Sequence, residues 1–249
     1  MIRITSTALN VGQLAYRSVR SVVEQTYQDW TLDFFDAAST DDTRAQVSYA
    51  SLEEVCHGRP QYGRIALHTE SVRTGPLDKL IPLWRSFPDD DIVVWLDGDD
   101  ELATPHALET VAQYHAAGAI VTYGSCLRSD GGVIRTGPVG PNPRTETTSG
   151  HWLLGHLKTF RAGAFKQIQD ADLRDEDGEY YALSIDRAVM LPLVEMFPGR
   201  SLWVNRYLYI YHSEVSYDVK ATPEQAAKAE STTRRIHGMP KYERNSWRP

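Results

Sequence analysis

A short apolar segment that ends in a cluster of carboxylates constrains the fold of this chain more than any other feature. Residues 92–96 are all apolar, and Asp97, Gly98, Asp99 and Asp100 follow directly. A short apolar run that is rich in β-branched and aromatic residues, without polar alternation, predicts a buried strand. In open α/β sheets, ligands bind at the carboxyl ends of the strands. The segment therefore predicts an α/β protein with a binding site at Asp97–Asp100.

These carboxylates also indicate what binds there. Carboxylates this close repel one another unless a cation neutralises them, and a set of oxygen ligands favours Mg²⁺ or Mn²⁺. Gly98 allows a tight turn and the close approach of a ligand. A plain acidic turn is the alternative, because Asp and Gly are common turn residues. The uninterrupted apolar strand before the cluster favours a site for a metal and a ligand.

The pattern upstream and downstream of this strand alternates between strands and helices. Apolar runs predict strands over 2–6, 31–35, 64–68, 92–96 and 119–123, and helical spacing predicts helices over 12–25, 43–56, 76–86 and 105–117. Such alternation predicts a mostly parallel sheet with helices on both faces. Asp36 ends the second predicted strand, so it is expected at the same sheet edge as Asp97.

After residue 123 the alternation breaks. Residues 124–150 are rich in glycine, proline and threonine, and long segments of this kind are usually lids, binding loops or disordered. Helices are predicted again over 162–168, 185–196 and 223–236, and short strands over 202–205 and 208–212. We find no internal repeat.

Composition and charge exclude some classes of protein. The 249 residues suit one large domain with a C-terminal extension, and a net charge of −7 argues against a general nucleic-acid-coating protein. Residues 221–249 carry six basic and three acidic residues, so this tail either meets an anionic ligand or is simply solvated. The two cysteines have no motif spacing, the N-terminus does not resemble a signal peptide, and no apolar run reaches about 20 residues. These features predict a cytoplasmic protein.

Six segments in sequence order resemble one known family. Residues 36–43, Asp-Ala-Ala-Ser-Thr-Asp-Asp-Thr, resemble the turn Asp-Asp-Gly-Ser-Thr-Asp-Gly-Thr of family-2-type glycosyltransferases, and residues 96–100 resemble their Asp-X-Asp motif. The other matching segments are 21–30, 156–161, 184–195 and 207–212. The resemblance covers about residues 2–217, and it implies a GT-A fold with a nucleotide-binding half at 1–123, an acceptor-side half at 124–220, and the tail at 221–249.

The same resemblance implies a nucleotide-diphosphate sugar as donor and Mn²⁺ or Mg²⁺ as cofactor. It places the following residues at the donor: Thr7, Ala8, Asn10, Asp36, Asp97 and Gly98. Asp99 is the first expected metal ligand, with Asp97 touching ribose or completing the shell. His212 is either a further ligand or a plain strand-end histidine, and imidazole suits Mn²⁺ better than Mg²⁺.

For the acceptor side, the resemblance places Asp186 as the general base of an inverting transfer. An ion pair with Arg187 or Arg161 is the alternative for this carboxylate. Arg161, Arg234 and Arg235 are expected to hold phosphate or an anionic acceptor, although exposed arginines are more often plain solubilising charges. Trp152 is expected to stack on a sugar ring or a base, although a buried tryptophan is more common.

The identity of the acceptor stays open at this stage. Residues 156–165 and 191–196 resemble members from viral and phage genomes, which implies a hydroxymethylated pyrimidine in DNA as one acceptor and a host cytoplasm as the location. A glycan is the other. Two further functions compete: a sugar-nucleotide-forming nucleotidyltransferase, whose glycine-rich basic loop is missing from residues 5–10, and a non-catalytic module that binds nucleotide or metal.

Overall fold

The computed structural model describes residues 1–56, 63–147, 151–213 and 221–249, without the side chains of 53–56. Its strands are β1 Ile2–Ala8, β2 Trp30–Asp36, β3 Ile65–Thr69, β4 Ile92–Trp95, β5 Glu101–Leu102, β6 Val121–Gly124, β7 Cys126–Arg128, β8 Val133–Ile134, β9 Lys158–Arg161, β10 Ser201–Val204 and β11 Tyr209–Tyr211. Its α-helices are α1 Gln13–Val23, α2 Thr43–Cys56, α3 Pro76–Ser86, α4 Ala107–Ala116, α5 Pro143–Glu146, α6 Ala162–Phe165, α7 Ile185–Met196 and α8 Pro223–Gly238.

Seven strands form the central sheet, in the order β10-β6-β9-β4-β1-β2-β3. β1 is parallel to β2 and β4, β2 is parallel to β3, and β10 is parallel to β6. Only β9 runs against its neighbours, β4 and β6. The sheet is therefore mostly parallel, which confirms the predicted fold class.

The helices cover both faces of this sheet, because each face presents its own set of apolar side chains. On one face α3, α6 and α7 enclose a core around Trp84, whose ring meets Trp95, Phe160 and Phe165 edge-on at centroid distances of 5.0–5.2 Å. On the other face α1, α2 and α4 pack on the alternate side chains of β1, β2 and β4. The alternation of buried faces along the strands thus produces the layered architecture.

A second, smaller sheet has the order β5-β11-β7-β8. β11 runs antiparallel to β5, with Tyr209 opposite Leu102 and Ile210 opposite Glu101. This pairing brings the late strand β11 next to the segment that follows β4. Residues that are far apart in the chain therefore meet beyond the carboxyl end of β4.

The predicted bounds of α2, α3 and α7 agree with the structure. β9 was not predicted, because Lys158 and Arg161 at its ends look like surface charges although Lys158 is buried. The helix predicted over 162–168 is a single turn, Ala162–Phe165. The long segment 124–150 contains β7, β8 and α5, while residues 148–150 lie outside the described residues.

The C-terminal region folds back on the body of the protein. α8 begins with a capping box between Thr222 and Gln225, the arrangement that satisfies the free N–H groups of a helix start. Beyond it, the Tyr242 hydroxyl hydrogen-bonds to Asp172, and the Trp247 ring packs against Phe197. In the described parts of the chain, every helix is too short or too polar to cross a membrane.

Candidate active site

The carboxyl ends of β1, β2 and β4 meet at one edge of the sheet. Their parallel register places Ala8 opposite Asp36 and Thr5 opposite Trp95, and the Gly98 N–H donates to the Thr7 carbonyl at 3.1 Å. Because these strands run in the same direction, the polar residues at their carboxyl ends lie next to one another at the same edge of the sheet. The structure thus brings together Thr7, Ala8, Asp36, Asp97 and Gly98, as the strand order predicts.

Gly98 lies where the backbone of β1 leaves no room for a side chain. A Cβ atom at this position would lie 2.7 Å from the Ala8 Cβ and 2.9 Å from the Thr7 carbonyl oxygen. Both distances are shorter than an ordinary contact, so only glycine fits here without a shift. This close approach fixes where the chain turns after β4, and therefore where Asp97 and Asp99 lie.

Tyr209 joins two of the three carboxylates. Its hydroxyl lies 2.6 Å from Asp100 Oδ2 and 3.2 Å from Asp97 Oδ2, and the Asp100 Oδ1 accepts the His212 backbone N–H at 2.7 Å. Asp100 is buried, and burial with the charges of Asp97 and Asp99 raises its pKa to about 8. Both Asp100 oxygens are therefore bonded within the protein, and Asp100 connects the end of β4 to β11 and His212.

Asp97 borders a space that we call the cleft, together with His156, Lys158 and Asp186. Burial is the main cause that raises the pKa of Asp97, and the nearby Asp186 charge adds to it, while the Lys158 charge and the Tyr209 hydroxyl lower it. Solvent still reaches 37% of the Asp97 side chain, so a ligand has access to this carboxylate.

Asp97 and Asp99 fit a divalent cation by their chemistry. The three carboxylates repel one another, because the charges of Asp97 and Asp99 both raise the pKa of Asp100. A bound cation would relieve this repulsion. However, the described residues contain no group of three or more His, Cys, Asp or Glu side chains that could hold a metal ion by themselves. Binding of a metal would therefore need a ligand from the substrate, as is common for Mg²⁺ and Mn²⁺ with phosphates.

His212 has a different environment from the expected one. Its side chain is 1% exposed, and its Nε2 lies 2.7 Å from Glu101 Oε1, which also pairs with Arg17 at 2.8 Å. This nitrogen is therefore engaged by a carboxylate outside the Asp97–Asp99 pair.

Asp186 begins the first turn of α7. The helix follows Ser184, which has a left-handed backbone (φ 53°), and Asp186 Oδ1 accepts the Arg187 N–H at 2.9 Å. A carboxylate is stabilised at a helix N-terminus by the helix dipole. Its other oxygen, Oδ2, lies 3.9 Å from Lys158 Nζ, and 27% of the side chain is exposed. Asp186 thus faces the cleft that also contains Asp97.

His156 and Lys158 are two residues of the cleft that sequence reasoning placed only within an acceptor-side segment. Lys158 is 6% exposed and lies 3.3 Å from His156 Nε2, while His156 Nδ1 lies 3.9 Å from Asp97 Oδ2. Both follow from the position of β9, because Lys158 pairs with Trp95 at the carboxyl end of β4. The sequence carries no signal for these two residues, because the burial of Lys158 depends on the pairing of β9 with β4.

Asp36 is fully buried and already paired. Arg44 Nε donates to its Oδ2 at 2.5 Å, and the Ser39 N–H lies 3.3 Å from each of its oxygens. Asn10 is exposed and fastens the same loop, since its Oδ1 accepts the Thr40 N–H at 2.8 Å. Asp36 therefore shapes the loop 37–40, and its carboxylate is not open to solvent.

Arg161 lies at the far edge of the sheet from this cleft. It pairs with Ile92, at the beginning of β4, and its guanidinium donates to the carbonyls of Asp90 and His115. The expectation that it holds phosphate or an anionic acceptor is not supported, because the antiparallel strand β9 carries it to the amino end of β4, away from Asp97.

Of the other predicted acceptor-side residues, Trp152 lies beside Arg187, the residue after Asp186. Trp152 is half-buried, with the Arg187 guanidinium 4.4 Å from its ring centroid and its indole N–H buried without a partner among the described residues. Arg234 and Arg235 are on α8, where they pair with Glu230 at 2.7 Å and Glu176 at 2.5 Å.

Known structures share this arrangement of sheet and helices. TarS from S. aureus in complex with UDP-GlcNAc is 14% identical with a TM-score of 0.61, over 94% of this chain and 65% of that one. A mannosyltransferase from Pyrobaculum calidifontis with GDP-Man and Mn²⁺ is 15% identical with a TM-score of 0.60, over 95% and 62%. Glucosyl-3-phosphoglycerate synthase from Mycobacterium tuberculosis, with Mn²⁺, UDP and phosphoglyceric acid, is 16% identical with a TM-score of 0.60, over 97% and 80%.

The fold and these neighbours define a GT-A glycosyltransferase architecture. The family model of glycosyl transferase family 2 matches residues 4–174, more than half of the chain, and the chain belongs to this family. No curated protein sequence matches it. The family assignment favours a glycosyltransferase over the nucleotidyltransferase and the non-catalytic module.

Proposed function

We propose that this protein is a metal-dependent, inverting glycosyltransferase that moves a sugar from a nucleotide-diphosphate sugar to an acceptor hydroxyl. One observation carries this proposal: Asp97 and Asp186, from distant parts of the chain, face one cleft and influence each other electrostatically. Asp97 lies at the end of β4, where the family binds its donor, and Asp186 lies on the helix start opposite. In an inverting transfer the leaving group and the attacking hydroxyl lie on opposite sides of the anomeric carbon, so the reaction needs one carboxylate near each of them.

On the donor side, the nucleoside would lie along the ends of β1 and β2. Thr7, Ala8 and Asn10 border this position, and Asp36 contributes by holding the loop 37–40 through Ser39. The diphosphate would then reach Asp99, whose position is set by the tight turn at Gly98. The bound UDP-GlcNAc of TarS and GDP-Man of the mannosyltransferase support a donor of this kind.

Asp99 and Asp97 would hold Mn²⁺ or Mg²⁺. Such an ion neutralises the charge of a departing diphosphate and orients it. Mn²⁺ in two of the similar structures supports this cofactor. Removal of divalent ions with EDTA is expected to abolish transfer, and added Mn²⁺ to restore it; transfer that persists in EDTA would refute the metal requirement.

On the acceptor side, Asp186 would accept the proton of the attacking hydroxyl. The new bond forms between that oxygen and the anomeric carbon while the bond from this carbon to the phosphate oxygen breaks, and the diphosphate leaves with the electron pair. A base on the face opposite the leaving group gives inversion. The position of Asp186 in the first turn of α7, half open to the cleft, fits this role.

The Asp186→Asn variant tests the base directly. Loss of a general base is expected to reduce turnover about 10²- to 10⁴-fold, whereas donor affinity stays near that of the wild type. Steady-state kinetics and calorimetric donor binding separate these effects. Asp177→Asn, at an exposed turn, is the control. Near-normal turnover by Asp186→Asn would remove this residue from the mechanism.

For the acceptor, we propose a hydroxymethylated pyrimidine in phage DNA, with a glycan as the competing acceptor. α8, with Arg234 and Arg235, packs beside the start of α7, because Ser184 Oγ lies 2.8 Å from Thr233 Oγ1. This places α8 beside the helix that carries Asp186, and the exposed ion pairs of its two arginines are weak enough to exchange for phosphate. Label transfer to DNA with 5-hydroxymethylcytosine, and none to unmodified DNA, is the expected result. Transfer to oligosaccharides alone would establish the glycan.

A further inference from the structure

Lys158 is a buried cation in the cleft to which the proposed reaction gives no task. Its Nζ lies 3.9 Å from Asp186 Oδ2, and 5.4 Å from the ring centroid of Trp95. Among the described residues, the acceptor within hydrogen-bond distance of Nζ is His156 Nε2, at 3.3 Å. An ammonium carries three N–H donors, so two of them have no acceptor from the described protein.

His156 presents a second unpaired donor beside the first. Its Nε2 accepts a hydrogen bond from the Lys158 ammonium, so the ring proton lies on Nδ1. Burial and the Lys158 charge lower the pKa of the ring well below its ordinary value, and His156 is therefore neutral. Nδ1 is buried without a partner in the described protein, 3.9 Å from Asp97 Oδ2.

The two side chains are held firmly in place. The His156 ring stacks on Tyr209 and Tyr211, with centroid distances of 4.4 and 5.9 Å. Lys158 extends from the central strand β9, whose register with β4 is fixed by four residue pairs. Buried donors are costly unless they are satisfied. Unpaired donors beside Asp97, whose side chain is 37% exposed, therefore indicate a ligand with oxygen acceptors.

We propose that Lys158 and His156 form the subsite that binds the hydroxyl groups of the donor sugar. The inference rests on the proposed function, in which the anomeric carbon lies between Asp97 on the donor side and Asp186 on the acceptor side. Lys158 is near both carboxylates and His156 is next to Asp97, so a sugar ring in that position meets both donors. The pair would determine which sugar is accepted.

The charges around the subsite favour an uncharged hexose. The Lys158 charge already faces Asp186 and acts on Asp97, so no excess positive charge is left for a sugar carboxylate. The protein is therefore expected to prefer UDP-glucose to UDP-glucuronic acid. Tighter binding of the glucuronic acid derivative would overturn this part of the proposal.

Calorimetry with the full chain and Mn²⁺ tests the subsite without the need for an acceptor. The ligands are UDP-glucose, UDP-N-acetylglucosamine and GDP-mannose, each compared with its own nucleoside diphosphate. The ratio of the two affinities measures what the sugar contributes. Lys158→Met is expected to reduce this ratio about 10- to 100-fold, as for a lost hydrogen bond to a charged group, and to leave the affinity for UDP or GDP unchanged.

Two further variants control this result. His156→Phe keeps a ring between the tyrosines but removes both nitrogens, and is expected to reduce the ratio about 3- to 10-fold. Lys166→Met removes a lysine that pairs with Asp89 at 2.6 Å, outside the cleft, and should change nothing. If Lys158→Met does not fold, His156→Phe decides alone.

The outcomes separate the subsite from the proposed function. A wild-type protein that binds none of the three donors refutes the proposed function, and the subsite with it. A wild-type protein that binds a donor, with variants that keep the full contribution of the sugar, refutes only the subsite. A folded Lys158→Met that loses UDP or GDP as strongly as the sugar nucleotide shows that the lysine acts on the diphosphate, which also overturns the proposal.

Discussion

Arg144 fastens the segment after β6 to the body of the protein, and its removal gives a sharp test of the structure. Its Nε and Nη2 donate to the two Glu195 oxygens at 2.6 and 3.1 Å, and its Nη1 donates to the Ile236 carbonyl. The Glu195 side chain is 0% exposed, that of Arg144 11%. The Tyr242 N–H adds a bond to Glu195 at 3.1 Å. One ion pair therefore connects α5, α7, α8 and the C-terminal residues.

The Arg144→Met variant leaves the Glu195 carboxylate buried without its cation. Loss of one partner of a buried pair costs about 3–5 kcal/mol of the free energy of unfolding. In a protein of this size each kcal/mol lowers Tm by about 2–4 °C, so Tm is expected to fall by about 6–20 °C. When Glu195 is also changed to Met, the buried charge disappears, and the double variant should recover about half of the loss or more.

Urea unfolding followed by tryptophan fluorescence, together with calorimetric melting, measures these changes. Arg234→Met is the matched control, because its pair with Glu230 is exposed and should contribute less than about 0.5 kcal/mol. A loss below about 1 kcal/mol in Arg144→Met would refute the importance of the buried pair. So would a double variant that is as unstable as the sum of the two single changes.

Three other predictions concern the core, the turn and the metal. The pKa of His115 is lowered by burial to about 3, so the unfolded chain takes up a proton below about pH 6.5 and the folded protein does not. His115 should therefore lower the free energy of unfolding by about 2 kcal/mol between pH 7 and pH 5, and His115→Gln should remove this contribution in urea unfolding, whereas exposed His106→Gln should leave it unchanged. Gly98→Ala should cost about 1–3 kcal/mol and weaken nucleotide binding, because its methyl group would collide with Ala8 and Thr7; wild-type values of both would contradict the close approach. Mn²⁺ is expected to raise Tm more when UDP is present than alone, since the described side chains do not complete a metal site; equal shifts would contradict this.

The part of the fold that could be predicted from sequence depends on neighbours along the chain. The apolar run of β4 and the helical spacing of α3 and α7 are local patterns, and each gave the right element. The convergence of Asp36 and Asp97 on one edge also follows from sequence, because parallel strands end on the same side.

What could not be predicted depends on partners far away in the chain. Asp36 pairs with Arg44, and His212 pairs with Glu101. The sequence suggested that this carboxylate and this imidazole bind ligands, whereas in the structure both make contacts within the protein. For Lys158 the sequence misleads in the opposite direction. It looks like a surface charge in sequence, and only the insertion of β9 beside β4 turns it into a residue of the cleft.

The antiparallel strand β9 has a consequence for how this protein is made. β4 and β6 leave the ribosome long before residues 158–161, yet both need β9 as their neighbour in the sheet. During synthesis the fully buried strand β4 therefore keeps one edge of open N–H and carbonyl groups, the feature through which nascent chains pair with one another. Separate expression of residues 1–123 would make that transient edge permanent. A chain cut in this way should aggregate alone and be rescued by a second fragment that supplies β9.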